Sequence, residues 1–287
     1  MIRQPLIPRA RLTKNMKIVA KIENGQDRRQ VLCTTYQMRN CFRQFADGVA
    51  SELDVHCYFQ HAYAADLLPK NGRVLDVCCG RGLLIPFLRY RGNPPSVYVG
   101  VDIHPGNAKW REGADPRREG ESKTDWGFPL LFVESNVDSM AGPIREKTKG
   151  KPFNLIVFTS AIEHMQPTSQ AQSLRECRKV SEPGTVLYLT CPVTPKGQDG
   201  YRCQYAAHVY EPNQAELQGW LSAAGWQIVR MIGLSTGAKH FREKLSGNAL
   251  AGAEAIYRMM PREQALPTIA ALYPAAALEI AFVCQAV

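Results

Sequence analysis

The stretch Arg73-Val-Leu-Asp76-Val-Cys78-Cys79-Gly80-Arg-Gly82 decides how this chain folds. A short apolar, β-branched run reaches an acid, and a turn of small residues follows. The apolar segment Leu83-Leu-Ile-Pro-Phe-Leu then starts a helix. A strand that passes sharply into a helix through glycines leaves backbone amides at the helix N-terminus facing a ligand. About 20 residues beyond Gly82, a second apolar run, Val97-Tyr-Val-Gly-Val, ends in Asp102. An acid at the tip of a second strand can accept both hydroxyls of a ribose. Together the two segments predict a nucleoside-cofactor site on a parallel sheet.

A dinucleotide site would read Gly-x-Gly-x-x-Gly with no acid at the strand end. Here Asp76 precedes the turn, and its carboxylate repels a pyrophosphate while attracting an ammonium or a sulfonium. The pattern resembles motif I of the class I S-adenosylmethionine (SAM) dependent methyltransferases, usually Asp-x-Gly-x-Gly-x-Gly. Asp76, Gly80, Gly82 and Asp102 carry the resemblance, which extends over residues 70–287. Cys78 departs from it, standing at the first glycine. A small Cys fits there if φ stays negative, and it narrows the space for the methionine tail. The resemblance implies SAM as cofactor, held by Asp76, Cys78, Gly80, Gly82, Asp102 and Ile103. It further implies Asn136 and Val137 at the adenine and Ser160 as another cofactor-binding residue. Asp138 competes with Asn136 for that place.

The 287 residues allow one large domain with appendages, and a hydrophobic share of 45% is enough for a full core. No apolar run approaches a membrane span, and the N-terminus lacks the apolar centre of a secretory signal. Nine cysteines without a Cys-x-x-Cys pair point to reduced, buried thiols, hence to a cytoplasmic setting. The net charge of +9 is uneven: residues 1–32 carry eight basic side chains against two acids. That leader reads as a solvated basic arm (1–26), or as a contact for RNA phosphates.

Residues 27–69 are helix-prone and rich in aromatics, and predict two helices broken near Asp47-Gly48. Helices in this place resemble the lid of many small methyltransferases. Strands are expected at 73–77, 97–103, 130–134, 153–158, 185–191 and 227–232, with a last one at 277–284 after a helical insertion over 240–273. Helices are expected at 82–91, 169–180 and 212–224, but only a short turn at 107–112. The fold class is therefore α/β, a Rossmann-like, doubly wound seven-stranded sheet, whose last strand the resemblance makes antiparallel.

In such a sheet the acceptor lies beyond the carboxyl ends of the strands. Glu163-His164 follows strand four directly, and His208, in Ala-His-Val-Tyr-Glu-Pro, precedes the helix at 212. These three are the candidate catalytic residues, with His164 a proton acceptor or a structural cap. They also resemble part of the metal set of the small-RNA 3′-end ribose methyltransferases. Ser160 replaces the first acid of that set, so a metal-free site is the expectation. Tyr201, Arg202 and Tyr205 lie in a polar loop that could close on the acceptor. The reading that results is methyl transfer from SAM to an oxygen or nitrogen of a small molecule. RNA methylation through the basic arm and a non-catalytic SAM-binding protein are the alternatives.

Overall fold

The computed structural model describes residues 52–90, 94–112, 125–193 and 207–287. The basic arm, the first predicted lid helix and the loop bearing Tyr201, Arg202 and Tyr205 lie outside them. In chain order the elements begin with α1 (Glu52–Asp66), β1 (Arg73–Val77), α2 (Ile85–Tyr90) and β2 (Val97–Asp102). Next come β3 (Leu130–Glu134), α3 (Ala141–Thr148), β4 (Phe153–Thr159), α4 (Pro167–Lys179) and β5 (Ser181–Pro192). The chain continues through α5 (Gln214–Ala223), β6 (Trp226–Ser235), α6 (Ala238–Lys244), α7 (Gly247–Met259), α8 (Arg262–Leu272) and β7 (Glu279–Ala286).

All seven strands form one sheet in the order β3-β2-β1-β4-β5-β7-β6. β1 to β5 pair in parallel, whereas β7 runs antiparallel to both β5 and β6. The predicted architecture is the observed one. The strands read as continuous apolar runs because both faces of the parallel sheet are covered. Leu75, Val99, Ile156 and Leu187 pack on one face with Ile144, Leu174 and Leu217. Their neighbours Val74, Tyr98, Leu155 and Tyr188 pack on the other with Leu84, Phe87, Trp110 and residues of α1. The helices between β6 and β7 close a third core around Phe241, Leu266 and Ile269.

Local chemistry sets the boundaries. α4 starts on Pro167, whose missing N–H costs nothing at the first helical position. α5 carries a capping box, in which Asn213 accepts from the Glu216 amide and the Glu216 side chain answers the Asn213 amide. Gly225, at φ 83°, turns the chain from α5 into β6. The charged stretch after β2 forms two short 3-10 turns, Pro105–Asn107 and Lys109–Glu112.

Candidate active site

The turn after β1 is built from left-handed backbone. Cys78, Gly80 and Gly82 have φ of 56°, 47° and 72°. The negative φ on which an easy fit of Cys78 depends is not met: a side chain occupies a conformation that glycine adopts without cost. The Cys79 amide donates to the Val101 carbonyl at 3.0 Å, which ties the turn to β2. A Cβ on Gly80 would meet nothing within 4 Å, so the turn opens onto space there. A Cβ on Gly82 would lie 2.7 Å from the Trp110 ring, and one on Gly100 would lie 2.8 Å from it. Trp110 is buried, and its indole N–H donates to the Gly80 carbonyl at 3.4 Å.

Two acids flank the turn. Asp102 at the end of β2 accepts from the Gly80 amide through Oδ2 and from the His104 amide through Oδ1, both at 2.9 Å. Each oxygen keeps lone pairs for a further donor. Asp76 is buried, and the Tyr98 hydroxyl donates to its Oδ2 at 2.6 Å. Burial pushes the Asp76 carboxyl up to about 7, with the charge of Asp102 adding and the Tyr98 hydrogen bond opposing. Burial likewise raises the Cys78 thiol, aided by the charges of Asp102, Asp76 and Glu163. That last influence sets the turn after β4 within electrostatic reach of the turn after β1.

Beyond β4, Ser160 has φ 43°, and its amide donates to Thr190 Oγ1 at 3.1 Å. Its hydroxyl stands 3.0 Å from Gln60 Oε1 on α1 and 3.3 Å from Glu279 Oε1 on β7. His56 Nε2 lies 2.8 Å from Glu279 Oε2. Burial alone would lower the His56 value, yet the charge of Glu279 and hydrogen bonds with Glu279 and Gln60 leave it raised. The next turn carries Glu163, only 2% exposed, and His164. The Val209 and Tyr210 amides both donate to the Glu163 carbonyl, at 2.9 and 3.1 Å, which draws His208 onto the same turn.

The two histidines stand edge to face with ring centres 4.9 Å apart. His164 Nδ1 is 3.1 Å from the Ala207 carbonyl, which can only accept, so Nδ1 carries the hydrogen and Nε2 the lone pair. His208 Nδ1 is 2.6 Å from Oε1 of the fully buried Glu211, while its Nε2 is 4.0 Å from Glu163 Oε1. Burial, aided by the His208 ring, holds His164 below the usual imidazole value despite the Ala207 carbonyl. Burial raises Glu163 to about 8, opposed by its backbone hydrogen bond and reinforced by the charges of Glu279 and Glu211. One ligand atom from each of Glu163, His164 and His208 lies within 4.8 Å of the others, so the trio could hold a metal ion.

Compared with known families, residues 54–231 match the family described as Methyltransferase domain, well over half of the chain. The chain belongs to that family. This methyltransferase is of class I and uses SAM. No curated protein matches it. Among solved structures it is similar to a SAM-dependent methyltransferase from Archaeoglobus fulgidus, at 17% identity, covering 85% of this chain and 99% of that one, with a TM-score of 0.49. A chain from the complex between the Haloferax volcanii Trm112 methyltransferase activator and a methyltransferase is similar at 14% identity over 87% of this chain and 97% of that one, with a TM-score of 0.49. The cyclase SpnF is similar at 18% identity over 79% of each chain, with a TM-score of 0.48.

The residues of the methyltransferase fit its cofactor. The turn is open at Gly80, Asp102 accepts from the Gly80 amide, Asp76 is buried ahead of the turn, and the apolar Ile103 is 55% exposed. Asn136 and Val137 follow β3. Asn136 Oδ1 faces the Asp138 amide of its own turn at 3.5 Å, and the Val137 side chain is buried. Five residues of the site escape a sequence reading. Tyr98, Trp110, Gln60 and Glu279 act through contacts between elements distant in the chain, whereas Glu211 meets His208 three residues away. Trp110 gives a signal as one of two tryptophans in a charged, turn-rich stretch, and Glu211 as the acid of the His-x-Tyr-Glu segment.

Proposed function

We propose that this methyltransferase acts on an oxygen or nitrogen of a small-molecule acceptor seated beyond β4 and β5. Glu163, His164 and His208 handle the acceptor's proton in this reading. SAM supplies an electrophilic methyl group on a sulfonium. The chain's own part is to align the acceptor, exclude water and take up a proton. The reading is carried by the tautomer of His164: Nδ1 is committed to the Ala207 carbonyl, so Nε2 has the lone pair a proton acceptor needs. A value below the usual imidazole range keeps that ring neutral at neutral pH.

Asp102 and the Gly80–Gly82 cradle hold the cofactor, and Asp76 is the acid beneath it. Helix α1, which brings Gln60 and His56 to Ser160 and Glu279, covers the acceptor side as part of a lid. Cys78, Cys79, Cys177, Cys191 and Cys284 are free thiols among the described residues, which supports a reducing, cytoplasmic setting. Calorimetry with SAM on wild type and His164→Ala tests the proposal, together with turnover of labelled SAM on metabolite extracts. His164→Ala should bind SAM as wild type does and lose roughly 10²- to 10⁴-fold in turnover. Unchanged turnover would remove His164 from the reaction, and a chain that binds no SAM would remove the reading itself.

A further inference from the structure

Against the expectation of a metal-free site, we propose that Glu163, His164 and His208 hold one divalent transition-metal ion, with a position left open to the acceptor. The inference rests on the methyltransferase reading above and gives His164 a ligand's role in place of the proton acceptor's. Its support is geometric and begins with the hydrogens. Ala207 and Glu211 take the Nδ1 hydrogens of His164 and His208. Both rings therefore offer the Nε2 lone pair, and both are held in orientation by a carbonyl or carboxylate behind them. Histidines that ligate metals are oriented in this way. The Glu163 carbonyl holds residues 209 and 210 through two amide bonds, so His208 and the Glu163 turn are one rigid unit.

A second observation points to a cation. Glu163 Oε2 is buried, with no hydrogen-bond partner among the described residues. Leaving a buried carboxylate oxygen unsatisfied costs more than an ordinary lost hydrogen bond. No Lys or Arg of the described residues lies within ion-pair distance of Glu163. A bound cation satisfies that oxygen directly. Ligands about 2.1 Å from a tetrahedral ion stand roughly 3.4 Å apart. The trio lies within 4.8 Å of one another, so an ion draws its ligand atoms inward to reach that spacing. Ser160 does not complete the set, since its hydroxyl faces Gln60 and Glu279 instead.

Two imidazoles and one carboxylate select a borderline ion such as Zn²⁺ or Co²⁺ over Mg²⁺, and three protein ligands leave room for a fourth. The acceptor that fits is a hydroxyl. Bound through oxygen, it loses its proton to water. The oxygen then forms the bond to the methyl carbon as the carbon–sulfur bond breaks, and that electron pair stays on sulfur as a neutral thioether. His164 is a ligand in this arrangement, and the ion takes over the acidifying role.

The test is titration of the full chain, stripped by chelation, with ZnCl₂, CoCl₂ and MgCl₂, followed by calorimetry and by the visible absorption of Co²⁺. One equivalent of Zn²⁺ or Co²⁺ should bind, with Co²⁺ bands of a four- or five-coordinate site and far weaker binding of Mg²⁺. His208→Ala and Glu163→Gln should each weaken Zn²⁺ by 10-fold or more. Glu211→Gln, which touches no ion, should weaken it by about 10- to 100-fold through His208. The Co²⁺ spectrum of wild type does not depend on how well any variant folds. A chain that binds SAM but takes up no ion, or whose ion binding ignores His208→Ala and Glu163→Gln, overturns the cation site and leaves the methyltransferase reading standing. Ion uptake at the trio without SAM binding does the reverse.

Discussion

Asp76 shows how much a single position can carry. It is an acid under the cofactor turn, buried and held by Tyr98. Between the ordinary 3.8 and its folded value of about 7, the folded chain keeps a proton that the unfolded chain has released. Stability therefore falls as pH rises through that window and levels off above it. Asp76→Asn keeps an acceptor for Tyr98 and removes the titration. It should match wild type near pH 4 and exceed it at pH 8, by about 4 kcal/mol at most, in chemical denaturation without cofactor. The same variant should weaken SAM at pH 8. Asp102 is the complementary case: Asp102→Ala should weaken SAM by about 10-fold or more while leaving thermal stability within about 1 kcal/mol, measured by calorimetry and unfolding.

At the scale of elements, close approach is what glycine makes possible. Gly233 on β6 faces α8 so tightly that a Cβ would stand 2.1 Å from the Ala270 carbonyl oxygen. Backbone cannot yield as a flexible side chain does, so Gly233→Ala should lower stability by about 2 kcal/mol or more and separate α8 from the sheet. Hydrogen exchange should register this as faster exchange in α8 than in β1. The strands were legible in the sequence because both faces of a parallel sheet demand apolar residues. Val74 to Val77 and Leu155 to Phe158 leave little other reading. The turn at 78–82 and Asp102 were legible for a related reason, since small residues and an acid at fixed spacing have few structural uses. Glu279 and Gln60 were not, because nothing in the local pattern of β7 or α1 tells that they meet at Ser160. The backbone sign of Cys78 was also beyond reach, as a cysteine rarely announces a positive φ.

For the molecule as a whole, the proposed cofactor site draws on the ends of β1 and β2, with α1 bonded to β7 nearby, so cofactor binding should stabilise contacts between distant parts of the chain. SAM at 100 times its dissociation constant should add about 2.7 kcal/mol. In a chain of this size that is roughly 5 to 10 °C in melting temperature, read by differential scanning fluorimetry. Asp102→Ala should lose most of that shift at the same SAM concentration. The bond between the Trp110 indole and the Gly80 carbonyl has an optical consequence. A buried chromophore is bonded to the turn proposed to receive the nucleoside, so occupancy should alter the polarity and hydrogen bonding around its excited state. Emission excited at the red edge of tryptophan absorption thus becomes a label-free signal of loading, and a phenylalanine at 110 silences it.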